Sequence, residues 1–204
     1  MTDLKMKRLP VILILFLMLV SCAERTESIL PPGTELRPGD VVFRQGVSPE
    51  SYAVILSDRE GIYSHIGIVA DSAGCPVIVH AVPGEPDFDG DPDRIKMDAP
   101  DKFFMRSRAE IGEVMRIPDP EKAAIAAENA LRLYKNKILF DHDYDDSDST
   151  KMYCTELVIY AYKCAGVNLA HGEKTSFKMP LLSATCWFPS AVHSSPLLES
   201  VAVF

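Results

Sequence analysis

The sequence predicts a mixed α+β domain, an antiparallel sheet or small barrel packed against helices, with a cysteine at a helix N-terminus. Three observations predict it. Branched apolar residues alternate along Ser64–Ala70, break at Asp71–Gly74 and resume through Cys75–Val82, the pattern of a β-hairpin. Glu121–Lys137 is alanine-rich, follows Pro120 and ends in basic residues, as helices do. Tyr153-Cys154-Thr155-Glu156-Leu157-Val158 opens a second helical stretch just after an acidic run.

Composition narrows the function classes. The chain has 204 residues, 47% apolar and 25% charged, which excludes a disordered or collagen-like protein and suits one domain with a real core. Acidic side chains outnumber basic ones by 29 to 21, a formal net charge of −8. No basic stripe is present, and phosphate contacts need clustered Lys and Arg, so nucleic acid is a poor partner.

Taken in order, the chain begins with a targeting pattern. Lys5, Lys7 and Arg8 precede an unbroken apolar run, Val11–Val20. That run is too short for a bilayer-spanning helix, which needs about twenty residues, and fits the hydrophobic region of a secretory signal. It ends in Leu19-Val20-Ser21-Cys22, which resembles a bacterial lipobox. The resemblance implies a signal peptide over 1–21, lipid on Cys22 and attachment to a membrane of the bacterial cell envelope. Residues 22–34 then read as the lipidated cysteine and a polar, proline-rich tether, and 35–204 as the domain.

Within the domain, Leu36–Asp40 reads as a turn and Val41–Arg44 as a strand. Tyr52–Leu56 fits a short helix or a strand. The hairpin of Ser64–Ala70 and Cys75–Val82 carries a four-residue loop. Pro83–Pro100 reads as a long acidic loop, and such loops are usually functional or mobile. Gly112–Ile117 reads as a strand. The helix over 121–137 buries Ile125, Leu131 and Leu133 among alanines. Asp141–Ser149 is turn-prone, and Cys154–Ala165 is a helix that Gly166 ends. From Thr175 onward, Pro180, Pro189 and Pro196 suggest coil packed on the surface.

The chemistry rests on one cysteine and two histidines. Apart from Cys22, the cysteines are Cys75, Cys154, Cys164 and Cys186. They form no CxxC and no Cys/His metal spacing, and the sequence does not choose among disulfide pairings. No metal or cofactor is called for. Cys154 at a helix N-terminus meets unpaired N–H groups and the positive end of the dipole, which favour thiolate and can bind an oxyanion. His65 begins a strand and can serve as general base at its end. His80 follows Val77-Ile78-Val79 and needs a partner for its nitrogens. A turn centred between Ser72 and Ala73 pairs residues whose numbers sum to about 145, which opposes His65 to His80 on one face. His80 then orients His65, the part a carboxylate plays in other triads. Tyr63 is the first candidate for a second oxyanion donor, with Tyr52 and Tyr153 behind it.

These residues resemble a known family. Leu36-Arg37-Pro38-Gly39-Asp40-Val41-Val42-Phe43, Tyr63-Ser64-His65-Ile66-Gly67-Ile68-Val69 and Tyr153-Cys154-Thr155-Glu156-Leu157-Val158 resemble, in that order, the YiiX/YebB-like cysteine hydrolases. These are permuted papain-like amidases of the NlpC-type superfamily, with His before Cys. The resemblance spans Leu36 to Leu169 and implies Cys154 as nucleophile, His65 as base and His80 as orienting residue. Many YiiX-like chains carry Glu where His80 stands. Val77–Pro83 looks more like the lecithin:retinol acyltransferase branch of the same group, whose third polar residue is His.

Asp141–Asp146 does not fit a calcium loop, because Asp146 and Met152 stand where glycine and glutamate are required. Asp143 and Asp145 could instead attract a cationic amine on a substrate, and replacing them by Asn would then raise KM. Three readings follow: a lipid-anchored cysteine amidase acting on envelope peptides through a thioester, a lipid or thioester acyl hydrolase of the same fold, and a non-catalytic envelope-binding module. The sequence does not give the oligomeric state.

Overall fold

The computed structural model describes residues 27–58, 61–179 and 182–204. The signal segment and Cys22 lie outside the described residues.

Among the described residues, ten strands and five helices follow one another. They are β1 (Val41–Gln45), α1 (Pro49–Ser57), β2 (His65–Ser72), β3 (Cys75–Val82), β4 (Arg94–Asp98), α2 (Pro100–Phe103), β5 (Ile111–Arg116), α3 (Pro120–Lys135), β6 (Leu139–Phe140), β7 (Lys151–Met152), α4 (Cys154–Cys164), β8 (Thr175–Met179), β9 (Leu182–Cys186), α5 (Pro189–His193) and β10 (Glu199–Val203). Eight strands form one open sheet in the order β10-β5-β1-β2-β3-β4-β6-β7, and β8 and β9 form a separate hairpin. Neighbours in the large sheet are antiparallel except β6 and β7. Of the two expected arrangements, sheet or barrel, the order describes a sheet.

Both faces of the sheet are covered. Val41, Phe43, Ile66, Ile68, Val79 and Ala81 face α3 and α4 in the larger core. Val42, Val69, Ile78 and Val114 face Phe103 and Phe104 in a smaller one. Strand β2 is therefore buried on both sides over His65–Ala70, as central strands are. On α3, Ala123, Ala126, Ala127 and Ala130 face inward and let the helix approach closely, whereas Ile125 is exposed. The expected stripe thus runs through alanines, with Leu133 buried and Leu131 partly so. Asp119 caps α3 by accepting the N–H groups of Glu121 and Lys122.

Two expectations are corrected and one open reading is decided. Tyr52–Leu56, left open, is helical, and Ser48 caps α1 with Pro49 in its first turn. The long acidic loop ends early, because Arg94–Asp98 is strand β4 beside β3. Ile95 and Met97 face the larger core while Lys96 and Asp98 are buried among partners of opposite charge, so a half-charged strand pairs inside. The tail is not coil: β8, β9, α5 and β10 occupy it, Pro189 opens α5, and β10 pairs with β5 at the sheet edge. Before β1, Ile29 N–H donates to the Phe104 carbonyl at 2.9 Å, and Ile29, Leu30 and Leu36 pack against the smaller core.

Candidate active site

The β2–β3 turn decides how the two histidines meet. Strand pairing runs to Ser72 opposite Cys75, and Ala73 and Gly74 both have positive φ, so the turn has two residues rather than four. The register is two places from that expected, and continuing it puts His80 across from Gly67. A shift of two keeps both histidines on one face and makes them diagonal neighbours. Gly67 makes room for the diagonal: a Cβ there would lie 2.7 Å from Ile78 Cγ2 and 3.2 Å from His80 Cβ. His65 Nε2 and His80 Nδ1 are 2.9 Å apart.

A third residue, absent from the sequence reading, completes the chain. His80 Nε2 lies 3.3 Å from Asp98 Oδ2 on β4. Lys102 and Arg108 hold the same carboxylate at 2.7 and 3.2 Å. Burial raises the Asp98 pKa, but the bonds from His80 and Lys102 outweigh burial and keep it ionised, well below the usual carboxylate range. An ionised carboxylate only accepts. His80 therefore donates from Nε2 and accepts at Nδ1, so His65 donates from Nε2 and keeps a lone pair on Nδ1. Burial, then the charges of Arg44 and His80, hold His65 well below 6.5, so the ring is neutral and basic at Nδ1.

Cys154 is the first residue of α4, and the Tyr153 N–H that precedes it donates to Glu156 Oε2 at 3.4 Å. Cys154 and His65 line one cavity of about 490 Å³, together with Arg44, Ser64, Glu85 and Thr155. Burial pushes the Cys154 thiol up and outweighs the Thr155 hydroxyl, 3.8 Å from the sulfur, and the N–H groups of Ile66, Thr155 and Cys154, which favour the thiolate. This corrects the expectation drawn from the helix terminus alone: the resting pair is a neutral thiol and a neutral imidazole. All four described cysteines are free, with Cys75 and Cys164 exposed and Cys186 buried.

Other expected residues lie elsewhere. Tyr63 is buried between Phe43 and His193, and its hydroxyl donates to Glu113 at 2.8 Å, outside the cavity. It cannot serve an oxyanion there. Tyr52 is exposed on α1. Tyr153 lines the cavity, and its hydroxyl accepts the Trp187 N–H at 3.1 Å, which leaves its own proton to donate. Asp143 and Asp145 are exposed and do not line the cavity, which corrects their role as an amine subsite. The residue between them does. Asp141, buried, accepts the N–H groups of both neighbours at 2.9 and 2.6 Å and turns Tyr144 inward with φ of 55°. A bulky residue held in the left-handed region is strained, and such strain gathers at functional sites. Burial raises the Tyr144 phenol pKa above its ordinary value, so it stays a donor. Only the left-handed backbone, invisible in sequence, singles it out from its acidic neighbours.

The family-model scan found no match, and neither did the search of curated proteins. Among solved structures, the fold is similar to that of YiiX from Escherichia coli O157:H7, described as a metalloprotein of DUF1105. The TM-score is 0.64 at 22% identity, over 81% of this chain and 96% of that one. The chain therefore has a YiiX-like fold. The donor set does not fit a metal centre: among the described residues, no group of three or more His, Cys, Asp or Glu side chains is placed to hold one.

Proposed function

We propose that the protein is a cysteine hydrolase that cleaves acyl bonds through a thioester on Cys154, on a permuted papain-like scaffold in which His precedes Cys. The observation that carries this reading is the convergence of Cys154 on one cavity with a histidine whose tautomer is fixed by His80 and Asp98. His65 Nδ1 takes the thiol proton as sulfur attacks the carbonyl carbon, since the resting thiol is neutral. The helix N–H groups and the Tyr144 hydroxyl receive the oxyanion. The leaving group departs with the proton from His65. Water then adds to the thioester, gives its proton to His65, and the thiolate leaves and recovers it.

The amide substrate expected from the resemblance loses one support, because Asp143 and Asp145 do not line the cavity. Attachment to the envelope membrane through Cys22 remains part of the proposal. The test is acyl transfer from 4-nitrophenyl acetate. A burst of nitrophenol, with an acetyl group found by mass spectrometry on Cys154, supports the reading. No burst, or a burst unchanged in Cys154→Ser, leaves a binding module instead.

A further inference from the structure

A second thiol lines the cavity of Cys154. Cys186 ends β9, is buried and is free. Among the described strands, β8 and β9 pair only with each other, so no ladder hydrogen bond ties Cys186 to the large sheet. Side chains hold the hairpin instead, one at each end. Lys174, just before β8, reaches Asp146 at 2.6 Å, and the Trp187 N–H, just after β9, donates to the Tyr153 hydroxyl at 3.1 Å. Asp146 and Tyr153 belong to the segment that leads into Cys154, so both ends of the hairpin are fastened beside that sulfur. Tyr144 fills the space between, its ring 5.4 Å from that of Tyr153 and 5.6 Å from that of Phe177 on β8. The other two described cysteines are placed elsewhere. Cys164 lies at the far end of α4, ten residues and so about 15 Å further along the helix. Cys75 is exposed at the β2–β3 turn. Neither lines the cavity. Burial, and after it the neighbouring Cys154 sulfur, push the Cys186 thiol up to about 12, so it rests protonated.

We infer that Cys154 and Cys186 form a reversible disulfide by exchange with a small external disulfide, and that this bond switches the site off. The switching rests on the cysteine hydrolase reading and deepens it, whereas the bond itself needs only the two thiols. A chain exported as proposed above leaves the reducing cytosol. The exchange has two steps. His65 Nδ1 takes the Cys154 proton as the sulfur attacks one sulfur of the external disulfide. The external S–S bond breaks, and the leaving thiolate recovers that proton from His65. The Cys186 sulfur then attacks the Cys154 sulfur of the mixed disulfide, and the second external thiol leaves with the Cys186 proton. Two protein thiols are oxidised, and one external disulfide is reduced to two thiols. The bond occupies the sulfur that attacks an acyl carbon, so acylation stops until a thiol reductant reopens it.

The test treats the reduced full chain with bis(2-hydroxyethyl) disulfide, quenches it with acid and maps its peptides by mass spectrometry without reduction. The expected product is a monomer in which the Cys154 and Cys186 peptides are joined, and dithiothreitol releases both. Acylation of Cys154 by 4-nitrophenyl acetate falls at least about tenfold once the bond has formed and returns on reduction, since a sulfur held in a disulfide is no longer a nucleophile. In Cys186→Ala, and separately in Cys186→Ser, the hydroxyethylthio group stays on Cys154, because nothing displaces it. The map of the wild type needs neither variant, so a variant that fails to fold leaves the test standing. Both thiols free after treatment, a mixed disulfide that persists on Cys154 of the wild type, or Cys154 joined to any other cysteine or to a second copy, overturns the inference while leaving the hydrolase reading intact. No acyl adduct on Cys154 of the reduced protein overturns that reading. The peptide map then still reads the thiol pair: a joined Cys154–Cys186 product supports the bond, and its absence contradicts it.

Discussion

His65 and His80 sit two places out of direct register on neighbouring strands, yet their facing nitrogens are 2.9 Å apart. The contact exists because Gly67 presents no side chain beneath the His80 ring. A Gly67→Ala methyl would meet Ile78 at 2.7 Å and His80 Cβ at 3.2 Å. Overpacking of this kind costs about 1–3 kcal/mol. The expected result is a modest fall in Tm with a disproportionate loss of turnover, at least about tenfold, because the imidazole pair separates. Measuring both on one preparation separates lost stability from lost geometry.

Asp98 fixes the proton order along the histidine pair. Asp98→Asn keeps size and fold but offers His80 an amide that can donate, so the wrong tautomer becomes available. Turnover falls about tenfold to a hundredfold, within what general-base catalysis contributes. Nitrogen-15 spectra of the histidine rings check the cause: the wild type shows a proton on His65 Nε2 and none on Nδ1, and the variant shows a mixture.

The resting thiol and imidazole are both neutral, and this has a sign in pH. His65 is held below 6.5 and Cys154 above its ordinary 9.0. The acid limb of kcat/KM therefore lies below pH 6.5, where His65 gains its proton, and activity persists to pH 9. Thiolate absorbance, taken as the difference from Cys154→Ser, is absent at pH 7. An imidazolium–thiolate pair would show it there. Stability follows the same histidine. Its unfolded form takes a proton near 6.5 that the fold resists, so His65 contributes stability that is full above that pH and lost as pH falls toward the folded value.

Tyr144 stands where Tyr63 was expected to act. Tyr144→Phe removes the hydroxyl and keeps the ring that the cavity wall uses. The expected effect is a fall in kcat of about tenfold to a hundredfold with KM little changed, as for loss of an oxyanion donor. Tyr63→Phe, which frees Glu113 from one bond far from the cavity, lowers Tm and leaves kcat alone.

Asp143→Asn with Asp145→Asn leaves KM unchanged for donors with or without an amine. Both side chains are exposed, and the loop is held through their backbone N–H groups by Asp141. Asp141→Ala is the contrasting variant: it frees Tyr144 from its inward turn and lowers kcat.

The hairpin, β1, β5 and helices α3 and α4 are legible because each repeats one local signal, period two or period 3.6, between recognisable stops. The two-place register error is harmless because side-chain direction in a strand depends only on parity. Strand β4 is hidden because composition spoke louder than period. Arg94, Lys96 and Asp98 alternate with Ile95 and Met97, yet lie within an acidic, proline-rich stretch. Lys96 is nonetheless buried, held by Asp87 at 3.0 Å. Missing β4 meant missing Asp98, which reaches His80 only through strand pairing. The tail misleads in the same way, since Pro189 marks the start of a helix rather than coil. The thiol's ionisation is not a local property at all: the helix terminus is visible in sequence, whereas the burial that overrides it belongs to the assembled cavity.

The most direct measurement is single-turnover acylation of Cys154 by 4-nitrophenyl acetate, followed by mass spectrometry of the Cys154 peptide, in the wild type and in His65→Ala. A base at His65 Nδ1 predicts an acyl group on Cys154 that forms about a hundredfold or more slowly in the variant. Equal acylation in both proteins, or acyl groups only on exposed Cys75 and Cys164, would contradict it.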